Sequence, residues 1–297
     1  MSDQPLSPFT RQRIARLAED TLRRADVAGE FPTPMEAVQQ AAGVKRVVDM
    51  ADLPKELEAK KPSAMRRILG ALWFSERTIF IDRSEPDYRQ QFTDGHEATH
   101  ALCPWHEQIL MLDDENSLFK DATAGVELEA NFGSGHLMFQ GGRFHRRALK
   151  EQVSISTPLA MHRDYVASRH ATLHYYVQEH PDAVALLIAG RYPYANGTLP
   201  IWKSVESVEF LRRFGRLRDR LPGASLGIID GENAPLADIT IAARTTIDPP
   251  AKPVGIPDGD GTKRPFVAEA FYNGKCHFVM VSEEKARRLG RRIRLAS

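Results

Sequence analysis

The sequence predicts an α+β fold, with helices concentrated in the first half of the chain and strands in the second. Apolar residues between 9 and 28 recur at the spacing of one helical face. Two β-prone runs, at 68–74 and 78–82, are separated by three residues and predict a β-hairpin. Residues 184–297 consist mainly of predicted strands and turns.

The same patterns divide the chain into three predicted domains. Residues 1–147 are expected to form a helical core with a small β-hairpin or sheet, residues 148–200 a helical segment, and residues 201–297 a C-terminal α/β module. The length of 297 residues allows each of these parts a core of its own, and 42% hydrophobic and 27% charged residues are typical of a globular protein.

Charge and cysteine content limit the classes of function. The formal net charge is +1, so no overall field attracts the chain to nucleic acid or to a membrane surface. The N-terminus lacks the basic start and apolar core of a secretory signal, and no apolar run approaches 18 residues. Cys103 and Cys276 lie far apart and fit no disulfide framework. We therefore expect a cytoplasmic protein without membrane contact.

Two predicted helices carry the residues that suggest chemistry. The first runs from about Asp87 to Leu102, where Pro104 stops or kinks it. The second runs from about Thr123 to Phe139 and contains Gly133 and Gly135. Because glycine lowers helix propensity, these two residues suggest that a neighbouring element packs very close to this helix.

The first of these helices contains the HExxH segment His96-Glu97-Ala98-Thr99-His100. Histidines four residues apart share one helical face and can bind one Zn²⁺ at about 2.0–2.1 Å. Glu97 is rotated by about 100° from His96. It can therefore act as general base toward a metal-activated water and pass the proton to the leaving amine. The motif predicts a zincin-like metallopeptidase core, in which the preceding hairpin offers a strand to an extended substrate.

The third metal ligand stays open on spacing alone. His106 lies ten residues after His96, as in HExxHxxGxxH metzincins, but Cys103 stands where those proteins have the glycine that permits a sharp turn. Glu127 and Glu129 on the next helix are the alternatives, because one of them would complete a His₂Glu set with an open position.

Other histidines and tyrosines could stabilise an oxyanion, and some basic residues could contact nucleic acid. The candidate oxyanion donors are His106, His136, Tyr88 and Tyr176. Residues 159–180 combine arginines with tyrosines, but we favour a helical connector there over a nucleic-acid contact. The basic cluster between Lys285 and Arg294 is more typical of a solvated face than of a binding site.

Two blocks of the sequence resemble the ImmA/IrrE family of metallo-endopeptidases. The first is Arg89-Gln90-Gln91-Phe92-Thr93-Asp94-Gly95-His96-Glu97-Ala98-Thr99-His100, which matches the family pattern R-x-x-F-T-x-x-H-E-x-x-H. The second spans residues 127–139 and is similar to the pattern E-x-x-A-N-x-F-A-x-x-L-L-x-P. In that pattern the glutamate four residues before the asparagine, Asn131 here, is the third zinc ligand. The resemblance therefore implies Glu127 as the ligand, with Glu129 as the reserve candidate.

The resemblance weakens beyond these blocks. Residues 133–135 replace the Phe-Ala region of the pattern, and Gln140 replaces its closing proline. Residues 159–180 look like the helix-turn-helix segment that follows the peptidase core in some members. Residues 265–271 are similar to a stretch of the GAF-like sensor module of the IrrE branch, so the C-terminal module is expected to be sensory.

The family resemblance implies an activity. Its members cut a helix-turn-helix repressor of the XRE type at one site, with Zn²⁺ or alternatively Mn²⁺ as the metal. We therefore expect a zinc-dependent endopeptidase with His96, His100 and Glu127 as ligands and Glu97 as catalytic base. The alternative is a non-catalytic zincin-like regulator that binds a repressor or DNA.

Overall fold

The computed structural model describes residues 6–52, 69–113, 120–192, 198–221, 225–227, 234–245, 251–258 and 260–284. Helices and strands are both abundant, which confirms the α+β class. In the described part of the chain, no helix is long and apolar enough to cross a membrane. The basic cluster from Lys285 onwards lies outside the described residues.

The chain forms two compact units. The first consists of residues 1–144 and 162–168, and the second of residues 145–161 and 169–297. A short helix, α6 (Gly142–Ala148), contains one of the boundaries between them.

The first unit is mainly helical. Its longer elements are α1 (Pro8–Arg24), α2 (Met35–Ala41), α3 (Asp87–Leu102), α4 (Pro104–Asp113) and α5 (Lys120–Phe139). Helix α3 has the predicted bounds. It begins after Pro86, and Pro104 begins the next helix instead of extending this one. The HExxH segment therefore lies in the last two turns of α3.

A small sheet accompanies these helices. Its strands are β1 (Arg46–Asp49), β2 (Gly70–Trp73) and β3 (Thr78–Ile81). Strand β3 lies in the middle, parallel to β1 and antiparallel to β2, so the predicted hairpin is confirmed. All four residues of β3 are buried, whereas β2 is an edge strand that packs against α3.

Helices α3 and α5 pack at unusually short distance. A Cβ atom placed on Gly133 would lie 2.3 Å from Thr99 Cγ2, and one placed on Gly95 would lie 2.8 Å from Ser134 Oγ. Ser134 also donates a hydrogen bond from Oγ to the Phe92 carbonyl, at 2.8 Å. The close packing predicted from the glycine in α5 is therefore present, and it brings the two functional helices together.

The second unit is built on one antiparallel sheet of six strands. These are β4 (Val184–Ala189), β5 (Thr198–Glu206), β6 (Ser225–Gly227), β7 (Lys252–Pro257), β8 (Lys263–Tyr272) and β9 (His277–Glu283). Their order is β6-β5-β4-β9-β8-β7. The helices are α7 (Ser156–Met161), α8 (Arg169–Gln178), α9 (Val208–Phe214) and α10 (Ala234–Thr245).

The two units differ from the predicted division into residues 1–147, 148–200 and 201–297. The boundary after residue 200 falls inside β5, and β4 lies between β5 and β9 in the sheet. Helix α8 packs on β4 and β5, and its residues Leu173 and Tyr176 are buried. The strands of residues 148–200 therefore belong to the same sheet as those of the C-terminal module, because β4 pairs with a strand about 90 residues further along.

Candidate metal centre

The two histidines of the HExxH segment lie on the side of α3 that faces α5. His96 and His100 are four residues apart, and their side chains are 14% and 5% exposed. Their Nε2 atoms face each other at 3.1 Å. Glu97, between them in sequence, is 6% exposed, and its carboxylate meets the Leu72 backbone.

Glu127 on α5 completes the group. Its Oε2 lies 3.3 Å from His96 Nε2, and its Oε1 lies 3.6 Å from His100 Nε2. Ligand atoms around a tetrahedral zinc ion with bonds of about 2.0–2.1 Å are about 3.3 Å apart. The three observed separations, 3.1, 3.3 and 3.6 Å, bracket that value. The donor set of two imidazoles and one carboxylate therefore fits a metal ion of this kind.

The surroundings of His100 and Glu127 favour the forms of these two side chains that bind a metal. Burial and the charge of His96 lower the pKa of His100 to about 3, so its ring is neutral at pH 7. The hydrogen bond with His96 lowers the pKa of the Glu127 carboxyl and keeps it ionised. Burial acts to lower the pKa of His96, but Glu127, Glu97 and Asn131 outweigh it, and the net pKa is raised.

Glu97 has the environment of a proton acceptor that works near neutral pH. Burial raises its pKa to about 7, and the charges of Glu127 and Asp94 act in the same direction. His96 and the Leu72 backbone, which hydrogen-bonds the carboxylate, oppose the rise. Leu72 belongs to the edge strand β2, so this strand and the Glu97 carboxylate are in direct contact.

The two alternative third ligands lie on the other side of His100. His106 is fully buried, and its Nδ1 is 2.9 Å from His100 Nδ1. Glu129 Oε2 is 2.9 Å from His106 Nε2 and accepts a hydrogen bond of 2.6 Å from Trp105 Nε1. Within the described ranges, His96, His100 and Glu127 are the only group of three or more such side chains arranged to hold a metal.

A comparison with protein families identifies the chain segment that contains this group. Residues 54–174 match the family described as the IrrE N-terminal-like domain (Peptidase_M78). This segment includes both helices that supply the three converging side chains. The chain therefore contains an IrrE N-terminal-like domain. The resemblance to the ImmA/IrrE family is confirmed, and the family suggests a metal-dependent peptidase.

Similarity to solved structures concerns the fold alone. A Mycobacterium tuberculosis transcriptional regulator superposes with a TM-score of 0.53 at 12% sequence identity. The alignment covers 94% of this chain and 78% of that one. A search of the curated proteins gave no match.

A buried carboxylate fixes α3 within the IrrE N-terminal-like domain. Asp94 accepts a hydrogen bond of 2.7 Å from Gln39 Nε2 on α2. It also forms an ion pair with Arg83, whose Nη1 lies 2.9 Å from Asp94 Oδ2. No local sequence pattern marks this role, although Asp94 stands two residues before His96 in the motif that carries the family resemblance.

The candidate oxyanion donors differ in their surroundings, and His106 contacts the ligand His100. Both ring nitrogens of His106 have protein partners, so this residue is not free to contact a substrate. His136 packs against Phe132, with ring centroids 4.5 Å apart. Tyr176 belongs to the second unit and is buried, whereas Tyr88 is exposed on α3.

Gln140, which stands where the family pattern has proline, closes the end of α5. Its side-chain nitrogen donates to the carbonyls of Val27 and Glu30 and to Thr33 Oγ1, at 3.1, 2.9 and 3.1 Å. Its Oε1 accepts from the Gly29 backbone N–H at 2.7 Å. Proline has no backbone N–H and no polar side chain. The glutamine at this position therefore forms hydrogen bonds that the proline of the family pattern could not form.

Proposed function

We propose that this protein is a zinc-dependent endopeptidase with Glu97 as the general base. The observation that carries the proposal is the convergence of His96, His100 and Glu127, with ligand atoms 3.1–3.6 Å apart and Glu97 adjacent in sequence. The family of residues 54–174 supports the same reaction class. Two imidazoles and a carboxylate favour Zn²⁺, and Mn²⁺ is the alternative metal.

Four residues of the chain have proposed roles in the reaction. His96, His100 and Glu127 would hold the metal, which would act as a Lewis acid and lower the pKa of a water molecule that it binds. Glu97 accepts a proton from the attacking water and returns it to the leaving amine. Burial raises the pKa of Glu97 to about 7 in the metal-free protein, and the charge of a bound divalent cation would lower it and favour the carboxylate that accepts the proton.

The edge strand β2 is the proposed place for the substrate backbone. Among the described residues, β2 has no strand partner on its side away from β3, and this side can pair with an extended peptide through main-chain hydrogen bonds. Since the Leu72 backbone hydrogen-bonds Glu97, a peptide held along this strand lies beside the proposed base. We therefore propose an extended segment of a protein as the substrate, and the family resemblance suggests a helix-turn-helix repressor of the XRE type.

Cleavage of one repressor tests this proposal. A purified helix-turn-helix repressor of the XRE type from the same organism is incubated with the wild-type protein and Zn²⁺ or Mn²⁺, and the products are identified by mass spectrometry. We expect one cut, which a chelator abolishes. Glu97→Gln keeps the shape of the side chain but removes the base, and we expect it to lower the rate by about 10²–10⁴-fold. Identical fragments at equal rate from Glu97→Gln would contradict the proposal.

A second candidate is a regulator that binds a repressor or DNA without cutting. Glu97 is only 6% exposed, and one solved structure with a similar fold is described as a transcriptional regulator. The cleavage assay separates the candidates, because this second function predicts an intact repressor in a stable complex.

The second unit is proposed to regulate the first. A single antiparallel sheet, with its core on one face formed by α9 and α10, supports a small sensory module of the GAF-like kind. The helix-turn-helix-like role of residues 159–180 stays a prediction, as does a contact with nucleic acid, which we do not favour. The cytoplasmic location also stays a prediction.

A further inference from the structure

Two residues outside the proposed ligand set continue the hydrogen-bond network behind His100. His100 Nδ1 lies 2.9 Å from His106 Nδ1, and His106 Nε2 lies 2.9 Å from Glu129 Oε2. Both rings are more than nine-tenths buried, so water does not compete for these nitrogens. The network therefore runs from a carboxylate through two imidazoles to the face of His100 that meets Glu127.

The donors at Glu129 determine the direction of these hydrogen bonds. The Trp105 indole N–H can only donate, and it donates to the same oxygen that His106 contacts. Trp105 Nε1 at 2.6 Å and His106 Nε2 at 2.9 Å meet this one carboxylate oxygen, which therefore accepts from both. His106 must then carry its proton on Nε2.

The proton on His106 in turn sets the proton on His100. A neutral imidazole with a proton on Nε2 has a lone pair on Nδ1. Since His106 Nδ1 contacts only His100 Nδ1 among the hydrogen bonds that the structure describes, His100 Nδ1 must donate. His100 then has its lone pair on Nε2, the atom that faces His96 and Glu127.

We propose that Glu129 and His106 are positioning residues that hold His100 in the Nδ1–H tautomer, ready to bind the metal through Nε2. This inference rests on the proposed metal centre and gives a role to the two residues that spacing alone offered as ligands. Metal-binding histidines commonly donate their second N–H to a carboxylate. Glu129 is two positions, or about 200° of helical rotation, from Glu127. The ring of His106 therefore bridges the distance between the Glu129 carboxylate and His100.

Substitutions at His106 separate positioning from packing. His106→Phe keeps a ring of similar size but removes both nitrogens. His106→Gln offers one amide oxygen to accept from His100 and one amide nitrogen to donate to Glu129. His162→Phe is the matched control, because His162 lies in the same unit and is partly buried, with its Nδ1 3.1 Å from the Ala167 carbonyl.

The first measurement is the dissociation constant for Zn²⁺, by competition with a chromophoric chelator. We expect His106→Phe to bind about 10–100-fold more weakly than the wild type. His106→Gln should recover most of this loss, and His162→Phe should match the wild type. Equal affinities of His106→Phe and the wild type would overturn the inference. Equal weakening by His106→Gln and His106→Phe would also overturn it, because that result indicates a packing role.

The second measurement does not depend on metal binding or on folding of the variants. Long-range ¹H–¹⁵N correlation spectra of the metal-free wild type report which nitrogen of each ring carries the proton. We expect a proton on Nδ1 of His100 and on Nε2 of His106. A proton on Nε2 of His100 would overturn the inference.

Two substitutions at Glu129 test the same network. Glutamine keeps an oxygen that can accept from Trp105 and His106, whereas leucine, of similar size, has no acceptor. We expect Glu129→Gln to keep the Nδ1–H signal of His100, and Glu129→Leu to weaken that signal and to bind Zn²⁺ more weakly. Unchanged tautomers in Glu129→Leu would count against Glu129. If the wild type binds no metal but has the expected tautomers, the proposed function fails and the assignment of the network stands.

Discussion

The backbone of Gly133 lies directly against the side chain of Thr99, so a Cβ atom at position 133 would be only 2.3 Å from Thr99 Cγ2. Thr99 has little freedom to move, because its Oγ1 donates a hydrogen bond of 2.8 Å to the Gly95 carbonyl. We expect Gly133→Ala to lower the free energy of unfolding by about 1–3 kcal/mol through overpacking. This loss exceeds the gain in helix propensity of about 1 kcal/mol.

The same helix provides a control for that substitution. Gly125 has no neighbour within 4 Å of the position of an added Cβ. Gly125→Ala should therefore keep the gain in helix propensity and raise the free energy of unfolding by up to about 1 kcal/mol. Urea denaturation of both variants tests the close contact of α3 and α5, and a stabilising effect of Gly133→Ala would contradict it.

Gln140 should stabilise the first unit through its four side-chain hydrogen bonds. Gln140→Ala removes all of them and leaves buried backbone groups unsatisfied, so we expect a loss of roughly 2–4 kcal/mol in the free energy of unfolding. The backbone at this position has a φ of 54°, which favours glycine. Gln140→Gly should therefore be less destabilising than Gln140→Ala, by about 1 kcal/mol. Equal stability of wild type and Gln140→Ala would show that these bonds contribute nothing net.

His180 in the second unit should make stability depend on pH. Burial and the charge of His145 lower its pKa to about 4, whereas an unfolded histidine titrates near 6.5. Between these values the unfolded chain binds a proton that the folded chain does not. The free energy of unfolding should therefore fall as the pH decreases from about 6.5 to 4, by on the order of 3 kcal/mol in total, and this contribution should level off below that window.

His180→Asn is the control for that pH dependence. In the wild type, the Asp182 backbone N–H donates to His180 Nδ1 at 3.0 Å. Asparagine retains an acceptor for this N–H, but it has no group that titrates in this range. Urea denaturation at pH 7, 5.5 and 4.5 should give a smaller loss of stability for the variant. Parallel curves for the two proteins would show that His180 does not stay neutral in the folded state.

The sequence allowed α3 and its motif to be predicted because their signals are local. Pro86 and Pro104 bound the helix, and the spacing of His96 and His100 is a property of one helical face. The third ligand depends on the packing of α5 against α3. Spacing alone therefore left His106, Glu127 and Glu129 open, and the family resemblance was needed to choose among them.

Other features depend on contacts that no local pattern encodes. The position of β4 between β5 and β9 depends on pairing with a strand about 90 residues later, so the predicted boundary at residue 200 divided one sheet. The link between His106 and His100 depends on the orientation of two rings, and sequence reasoning offered His106 only as a ligand or an oxyanion donor. The spacing of His106 from His96 could not show on which side of His100 its ring lies.

The most direct test of the account is the metal content of the first unit's candidate centre, measured on the whole protein. Isothermal titration with Zn²⁺, supported by elemental analysis, should give one ion per chain for the wild type. Glu127→Ala should weaken binding by at least about 100-fold, because it removes one of three protein ligands. The matched control Glu36→Ala, at an exposed position of α2, should bind as the wild type does. Zinc binding that is the same in wild type and Glu127→Ala, or no binding by the wild type, would contradict the proposed metal centre.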